Sequence, residues 1–158
     1  MSTLKHYLMI FLVSMVPLIE LRGAIPYAIG FIEAGEPLNL TVCYSIAIVG
    51  NMLPVPFLIK FSKGILLRLS KVNKIGWIFQ KIIDRGNKKA AEIGGWELLG
   101  LFLFVAIPLP GTGAWTASLV SALLQLRIKK SLLVIGIGVI VCGIIMGVLS
   151  FSVANIMA

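Results

Sequence analysis

Glu20 and Arg22 are the residues whose chemical types and positions are most informative in this chain. They lie within residues 16–26 (VPLIELRGAIP), inside an otherwise apolar stretch. A carboxylate and a guanidinium at membrane depth are costly, and they persist there only when they face a protein interior or a water-filled cavity. Proline and glycine at this position break a helix where the charges lie. Broken helices with charges at the break are a recurring feature of transport sites in membranes.

The two charges suggest two kinds of chemistry. The planar guanidinium of Arg22 is suited to bidentate binding of a phosphate or a carboxylate. Glu20 either neutralises Arg22 when the site is empty or, inside a low-dielectric cavity, binds and releases a transported proton. The alternative interpretation is a buried salt bridge between Glu20 and Arg22 that only stabilises the turn.

A second Pro/Gly interruption lies at residues 108–113 (PLPGTG). After Gly23 and again after Gly113 the chain re-enters helix, so two half-helices would direct unpaired N–H groups and partial positive charge towards the same region. Backbone N–H groups of a Gly-Thr-Gly turn can also cradle an anion. This pattern favours a ligand with an anionic group, and a structural tight turn at the second interruption is expected alongside any function. The predicted substrate-binding residues are Arg22, Gly23, Asn51, Gly111, Thr112, Gly113 and Trp115, with Glu20 as the predicted proton carrier.

Composition indicates an integral membrane protein, because 59% of the 158 residues are hydrophobic and the mean hydropathy is +1.04. The net charge of +8 arises largely from one block, since nine of the 14 Lys and Arg residues lie within residues 60–89. Such a block is typical of a cytoplasmic loop rather than of a nucleic-acid-binding surface. No metal-ligand cluster or nucleophile–base spacing is present, so neither an enzyme, a metal nor a cofactor is predicted. Cys43 and Cys142 lie apart in apolar runs, which favours a packing role.

Four apolar segments are predicted to be helical, at roughly 4–32, 39–59, 97–126 and 131–157. The second and fourth have about the 20 residues that a membrane span needs. The first and third are longer and interrupted, which predicts re-entrant hairpins whose turns are shielded by protein or water. A re-entrant third segment also places residues 127–130 (RIKK) on the cytoplasmic side, as the positive-inside rule favours. A signal peptide is the alternative for the first segment, but no typical cleavage site follows it.

The two halves of the chain resemble each other. Residues 16–18 (VPL) align with residues 107–109 (IPL), and each interrupted segment is followed by a spanning helix. We therefore predict a single membrane domain over residues 1–158, built from two inverted repeats of one hairpin and one transmembrane helix. The repeats are predicted at 1–61 and 94–158, joined by a basic amphipathic cytoplasmic linker at 62–93. In this linker, apolar residues at helical spacing predict a helix on the membrane surface: Ile75, Ile78, Phe79, Ile82 and Ile83.

At residues 17–26 (PLIELRGAIP) and 108–116 (PLPGTGAWT) the chain resembles the small multidrug export family of prokaryotic membrane proteins. More distantly, it is similar to the DedA/VTT (SNARE-associated) superfamily. That resemblance implies facing re-entrant hairpins and movement of lipids, including polyprenyl phosphate carriers. It also implies a role for Glu20, which matches an acidic residue of the superfamily's first hairpin. The second hairpin of that superfamily usually carries arginines, whereas residues 106–113 have none.

The sequence as a whole predicts a multi-pass transporter in the inner (plasma) membrane of a prokaryote, in contact with membrane lipids. The leading prediction is DedA-like, proton-coupled movement of a substrate with an anionic group, which includes a lipid phosphate. The first alternative is a proton-coupled exporter of small hydrophobic cations, and the second is a membrane scaffold or partner subunit without transport activity. A homodimer is predicted, because one copy has few elements with which to shield two polar hairpins. Gly143 and Gly147 in the last segment form a small-residue packing motif.

Overall fold

The computed structural model describes residues 3–71 and 95–157, together with Trp77, Gln80, Lys81, Ile83 and Asp84 between them. Within these residues every regular element is helical, as the sequence predicts. The first half of the chain forms α1 (Thr3–Met15), α2 (Glu20–Glu33), α3 (Leu40–Met52) and α4 (Val55–Leu69). The second half forms α5 (Gly95–Ala106), α6 (Ala114–Leu123) and α7 (Ile128–Met157).

The first and third apolar segments are both interrupted, but the first interruption ends earlier than predicted. Helix α2 begins at Glu20 and contains Gly23 and Pro26, so the prediction that the chain re-enters helix after Gly23 is wrong. A glycine within a helix costs only about 1 kcal/mol, which the packing of α2 can offset. Residues 16–19, which we call the first break, separate α1 from α2. Pro17 has no N–H group with which to continue α1, so the helix ends before it. Residues 107–113, the second break, separate α5 from α6 and contain Pro108 and Pro110. The second break turns tightly, with the Thr112 N–H donating to the Leu109 carbonyl at 3.2 Å.

Two helical stretches are long and apolar enough to cross a membrane, Leu40–Arg68 and Ile128–Ile156. The first consists of α3 and α4, which follow each other almost without interruption at Leu53 and Pro54. Helix α4 runs to Leu69, beyond residue 61 where the sequence predicted the first repeat to end. This extension has a simple cause, because apolar residues continue between the cationic side chains of this stretch and no Gly/Pro pair ends it.

Packing pairs the helices in a regular way. In each half the helix before the break packs on the spanning helix of the same half, α1 on α3 and α5 on α7. The helix after the break packs on the spanning helix of the other half, α2 on α7 and α6 on α4. Each half therefore contributes one helix, α2 or α6, that packs against the other half.

The α1–α3 pairing and the α5–α7 pairing use the same kind of contact. A Cβ atom added at Gly50 of α3 would lie 2.8 Å from the Phe11 carbonyl oxygen and would overlap Ser14. A Cβ added at Gly138 of α7 would lie 3.2 Å from the Phe102 carbonyl oxygen and 2.8 Å from Val105 Cβ. In the sequence, Phe11 and Phe102 precede Pro17 and Pro108 by the same interval, and so do Ser14 and Val105. Both breaks are therefore anchored against a glycine of the following span.

The core consists mainly of small and β-branched side chains between these helices. The solvent-inaccessible residues include Ala24, Ala28, Ala47, Ala114 and Ala117. Small residues let helix backbones approach closely, which is how helices associate when lipid surrounds them. Gly143 and Gly147 serve this purpose within the chain, where they lie against Leu21 of α2 and Tyr44 of α3. Both glycines therefore pack against helices of the same chain.

The predicted amphipathic linker lies for the most part outside the described residues. Of the apolar positions that define it, only Ile83 is described. Trp77, which is also helical, is 65% exposed. The side chain of Gln80 donates a hydrogen bond to the Ser70 carbonyl just after α4, at 3.1 Å.

Candidate functional site

Glu20 begins α2 and reaches across to the start of α6. Its side chain is buried, with 4% of its surface exposed. Oε2 accepts a hydrogen bond from the Ala114 N–H at 3.0 Å, and Oε1 accepts one from the Trp115 N–H at 3.0 Å. These N–H groups belong to the first turn of α6, where no carbonyl of the same helix is available to them. The carboxylate therefore caps α6 and opposes the positive end of its dipole.

Arg22 binds the other side of the second break. Its guanidinium donates to the carbonyl oxygens of Leu109, of Ile107 at 3.2 Å and of Val105 at 3.4 Å, and to Thr112 Oγ1 at 2.7 Å. The Val105 carbonyl lies in the last turn of α5, at the negative end of that helix dipole, and the Ile107 and Leu109 carbonyls lie just beyond it in the second break. A guanidinium offers five N–H donors in a plane, which suits several acceptors in one turn.

The two charges in the first turn of α2 thus bind opposite ends of the second break. Within the described part of the chain no ion pair joins Glu20 to Arg22, and His6 Nδ1 lies 3.8 Å from Glu36 Oε2. Glu20 and Arg22 are each hydrogen-bonded to backbone groups from the other half of the molecule. The prediction that the N–H groups at the start of α6 are unpaired is therefore wrong, because a carboxylate of the same chain already occupies them.

Gly113 makes the approach of Glu20 possible. Its φ is +129°, a conformation that is almost confined to glycine. A Cβ atom at this position would overlap Glu20 Oε2 and would lie 2.7 Å from the carboxyl carbon. The absence of a side chain at residue 113 is thus needed both for the backbone turn and for the cap on α6.

Comparison with known protein families identifies the family of this chain. The model of a family described as "Putative small multi-drug export protein" matches residues 20–145 of the chain. The chain belongs to this family. The matched region begins at Glu20 and contains Arg22 and the whole of the second break. A search of curated proteins and of solved structures finds no match.

The family assignment and the apolar helices identify a membrane protein. The resemblance to this family seen in the sequence is thereby confirmed. The more distant likeness to the DedA/VTT superfamily stays a prediction. The export function in the family's description is closer to the first alternative drawn from the sequence than to DedA-like lipid-phosphate transport.

The backbone adopts an unusual conformation at Leu18 and Glu20, where the first break ends and α2 begins. Leu18 has a φ of +72° and Glu20 a φ of +52°, values in the left-handed region that side chains other than glycine seldom adopt. Such residues cost roughly 1–3 kcal/mol each and persist where the surrounding contacts fix them. At Glu20 the contacts that fix the backbone are the two bonds to α6.

The other predicted site residues lie in different surroundings. Thr112 takes part directly, since its hydroxyl accepts from Arg22 and donates to the Leu109 carbonyl at 2.8 Å. Trp115 contributes its backbone N–H to Glu20, while its buried indole Nε1 has no hydrogen-bond partner. Gly111 has a φ of +79° and open space around its Cα. It shapes the second break without touching either charge.

Gly23 and Asn51 are less closely connected to the two charges. Gly23 lies in the first turn of α2, where its N–H bonds the Ile19 carbonyl at 3.0 Å. Asn51 is 2% exposed in α3, and its Oδ1 has no hydrogen-bond partner. No hydrogen bond links Asn51 to Glu20 or Arg22 in the described structure. Asn51 remains a predicted lining residue, one position beyond the close contact at Gly50.

Sequence reasoning missed two neighbours of the site. Cys142 of α7, interpreted as a packing residue, is buried within electrostatic range of both Arg22 and Glu20. Lys63 of α4 donates from Nζ to the Leu126 carbonyl at 2.7 Å, just after α6 ends. Helix α6 is therefore held by a carboxylate at its positive end and by an ammonium group beside its negative end. A lysine inside the apolar stretch of α4 was the available signal, but its partner lies far along the chain.

Proposed function

We propose that this protein is a proton-coupled membrane exporter in which Glu20 binds the transported proton. The observation that carries this proposal is the bonding of its buried carboxylate, which is held by two N–H groups of α6 and by no cationic side chain of the described residues. An ionisable residue at membrane depth with a mobile partner is a common element of proton-coupled transporters.

The bonding geometry explains how proton binding would move the protein. A carboxylate accepts on both oxygens, whereas a protonated carboxyl group carries an O–H donor on one of them. Both partners of Glu20 are N–H donors, one on each oxygen, so protonation of either oxygen leaves one N–H group with a weaker, uncharged acceptor. The cap on α6 is thereby weakened, while the contacts of Arg22 with the second break stay intact. Proton binding would therefore change the balance between two arrangements of α6.

The pairing of helices across the two halves supports the inverted-repeat, re-entrant architecture that the sequence predicts. Helix α2 packs on α7 and helix α6 packs on α4, so the helix that follows each break contacts the opposite half of the chain. The repeated glycine contacts of Gly50 and Gly138 have the same relation to Pro17 and Pro108. In this arrangement both breaks would meet near the middle of the membrane, where transporters of this kind alternate access. We also propose that two copies assemble in the prokaryotic inner membrane, which mass measurement in nanodiscs would test.

The proposed cargo is a small amphipathic cation. The donors of Arg22 that face the second break are already bound to carbonyl and hydroxyl oxygens, so little of its charge is available to an anion. Export of drugs is also what the family's description names. The second candidate is a cargo with an anionic group, as the sequence predicted. It is favoured by one observation, namely that Arg22 Nε and Trp115 Nε1 are buried donors without partners.

Transport by purified protein in liposomes tests the proposal. We expect a pH gradient to drive accumulation of ethidium by the wild-type protein, and the Glu20→Gln variant to lose this dependence on the gradient. Glu97→Gln at the start of α5 is the matched control and should transport like the wild type. Equal gradient-driven transport by Glu20→Gln would overturn the role of Glu20. Movement of a fluorescent phospholipid analogue instead of ethidium, lost in Arg22→Gln, would favour the second candidate.

A further inference from the structure

A groove of about 380 Å³ runs along the outer side of α2 where this helix meets α7. Its wall on α2 consists of residues at helical spacing, Pro26, Ile29, Gly30 and Glu33. Because positions i, i+3, i+4 and i+7 share one face of a helix, these residues form a continuous surface. The volume is within the range of small-molecule sites, which is about 300–1,000 Å³.

The opposite wall is supplied by α7 at matching intervals. Met146, Leu149, Ser150 and Val153 are among its lining residues. Apart from the Ser150 hydroxyl, these side chains are apolar, and methionine adapts its shape to different ligands. The Ser150 hydroxyl donates to the Met146 carbonyl at 2.7 Å, so its proton is already used within α7. The wall on α7 therefore offers apolar contact and no cationic group.

Glu33 is the single charged residue among those that line the groove. It lies in the last turn of α2 and is exposed at the end of the apolar surface. An apolar channel with one carboxylate at its end complements a molecule that has a hydrophobic body and one positive charge. An anion of the same shape would meet repulsion from Glu33 and would find no counter-charge among the lining residues.

We infer that the groove between α2 and α7 binds the amphipathic cation, with Glu33 at its charged end. This inference rests on the proposed function for its cargo, but the site is distinct from the contact between the two breaks. Helix α2 carries Glu20 at its first residue and Glu33 at its last. A ligand wedged between α2 and α7 therefore acts on the helix that caps α6, which provides a physical connection between cargo and proton.

Direct binding measurements separate this site from transport. The probe is tetraphenylphosphonium, measured by equilibrium dialysis against the full chain in phosphatidylcholine nanodiscs, with empty nanodiscs subtracted. Tetraphenylborate is the matched probe of similar shape and opposite charge. We expect the wild-type protein to bind the phosphonium at least tenfold more tightly than the borate.

Variants within the groove are expected to weaken this binding. Gly30 has open space at its Cβ position, so Gly30→Phe fills the groove without a clash against the fold and should raise Kd at least tenfold. Gly100→Phe is the matched control, because Gly100 of α5 is exposed and equally open, and its Kd should not change. Glu33→Gln should raise Kd about threefold to tenfold, while Glu36→Gln should not. If Gly30→Phe is not monodisperse, Ala154→Phe fills the same groove from α7.

The inference is overturned if the groove-filling variants bind the phosphonium like the wild type, or if Gly100→Phe weakens binding as much as Gly30→Phe. Equal affinity for the two probes, or an unchanged Kd in Glu33→Gln, rejects recognition of the cation.

Failure of the site and failure of the proposed function are distinguishable. Loss of gradient-driven transport in Glu20→Gln with an unchanged Kd in Gly30→Phe rejects the groove alone. Groove-dependent binding without gradient-driven transport in the wild type rejects proton coupling alone.

Discussion

Replacing Gly113 with alanine tests the contact between the two breaks most directly. A methyl group at this position would displace the Glu20 carboxylate, because its Cβ would lie 2.7 Å from the carboxyl carbon. Hydrogen bonds to a charged group contribute about 1.5–3 kcal/mol each, so loss of the two bonds to α6, partly replaced by water, costs about 3 kcal/mol. The φ of +129° at Gly113 adds roughly 1–3 kcal/mol of backbone strain for alanine. We therefore expect the free energy of unfolding to fall by about 4–6 kcal/mol.

A double-mutant cycle separates these two contributions. In a Glu20→Ala background there is no carboxylate to displace, so Gly113→Ala should cost only the backbone strain, and the two substitutions should couple by about 3 kcal/mol. Reversible unfolding in mixed detergent micelles measures all four free energies. Gly111→Ala is the control, since Gly111 also has a positive φ but nothing within 4 Å of its Cβ position. It should cost the same in both backgrounds. Additive effects of Gly113→Ala and Glu20→Ala would refute the cap on α6.

Three further predictions follow from other contacts. Arg22→Gln should lower the free energy of unfolding by about 3 kcal/mol, since the carbonyls of the second break lose their charged donor; an unchanged denaturation midpoint would contradict this. Gly147→Ala should destabilise by about 1–3 kcal/mol because its Cβ would overlap the Tyr44 hydroxyl, and Tyr44→Phe should recover part of the loss if that overlap is the cause. Single cysteines at Glu97 and Lys129, in a background without the native cysteines, should be labelled from the same side of the membrane; labelling from opposite sides would exclude the re-entrant hairpin.

The sequence predicts where each interruption begins because proline acts locally, but it did not predict that α2 resumes at Glu20 and runs through Gly23 and Pro26. Pro17 and Pro108 end α1 and α5 by removing an N–H donor, an effect that needs no knowledge of distant residues. The two long apolar stretches are equally local, since their length and composition alone make Leu40–Arg68 and Ile128–Ile156 candidate membrane spans. Element type and order were therefore accessible from the sequence. The end of α4 at Leu69 was not, because the charges of residues 60–68 resemble a loop and are tolerated on a helix.

The hydrogen-bond partners of Glu20 and Arg22 could not be predicted from the neighbouring sequence. A free helix N-terminus in a membrane can be satisfied by a ligand, by water or by a carboxylate of the same chain, and the sequence near Ala114 is the same in all three cases. The carboxylate that satisfies it is 94 residues away along the chain. A salt bridge between Glu20 and Arg22 was an alternative that their proximity in the sequence allowed. Their divergence towards opposite poles of the second break becomes apparent only when the two halves are packed together.

This divergence gives the two charges unequal roles. Arg22 donates to carbonyl oxygens at the end of α5 and in the second break, and these bonds do not involve the Glu20 carboxylate. Glu20 is the partner whose charge a proton can remove, and the helix that it caps, α6, is only 10 residues long. In the proposed mechanism, one side of the second break is fixed to α2 by Arg22, while the other side is held by the Glu20 contact, which proton binding would weaken. Motion on protonation should therefore concentrate in α6 and its contact with α4. Spin labels on these two helices should separate in acid in the wild-type protein, and Glu20→Gln should show the acid arrangement at every pH.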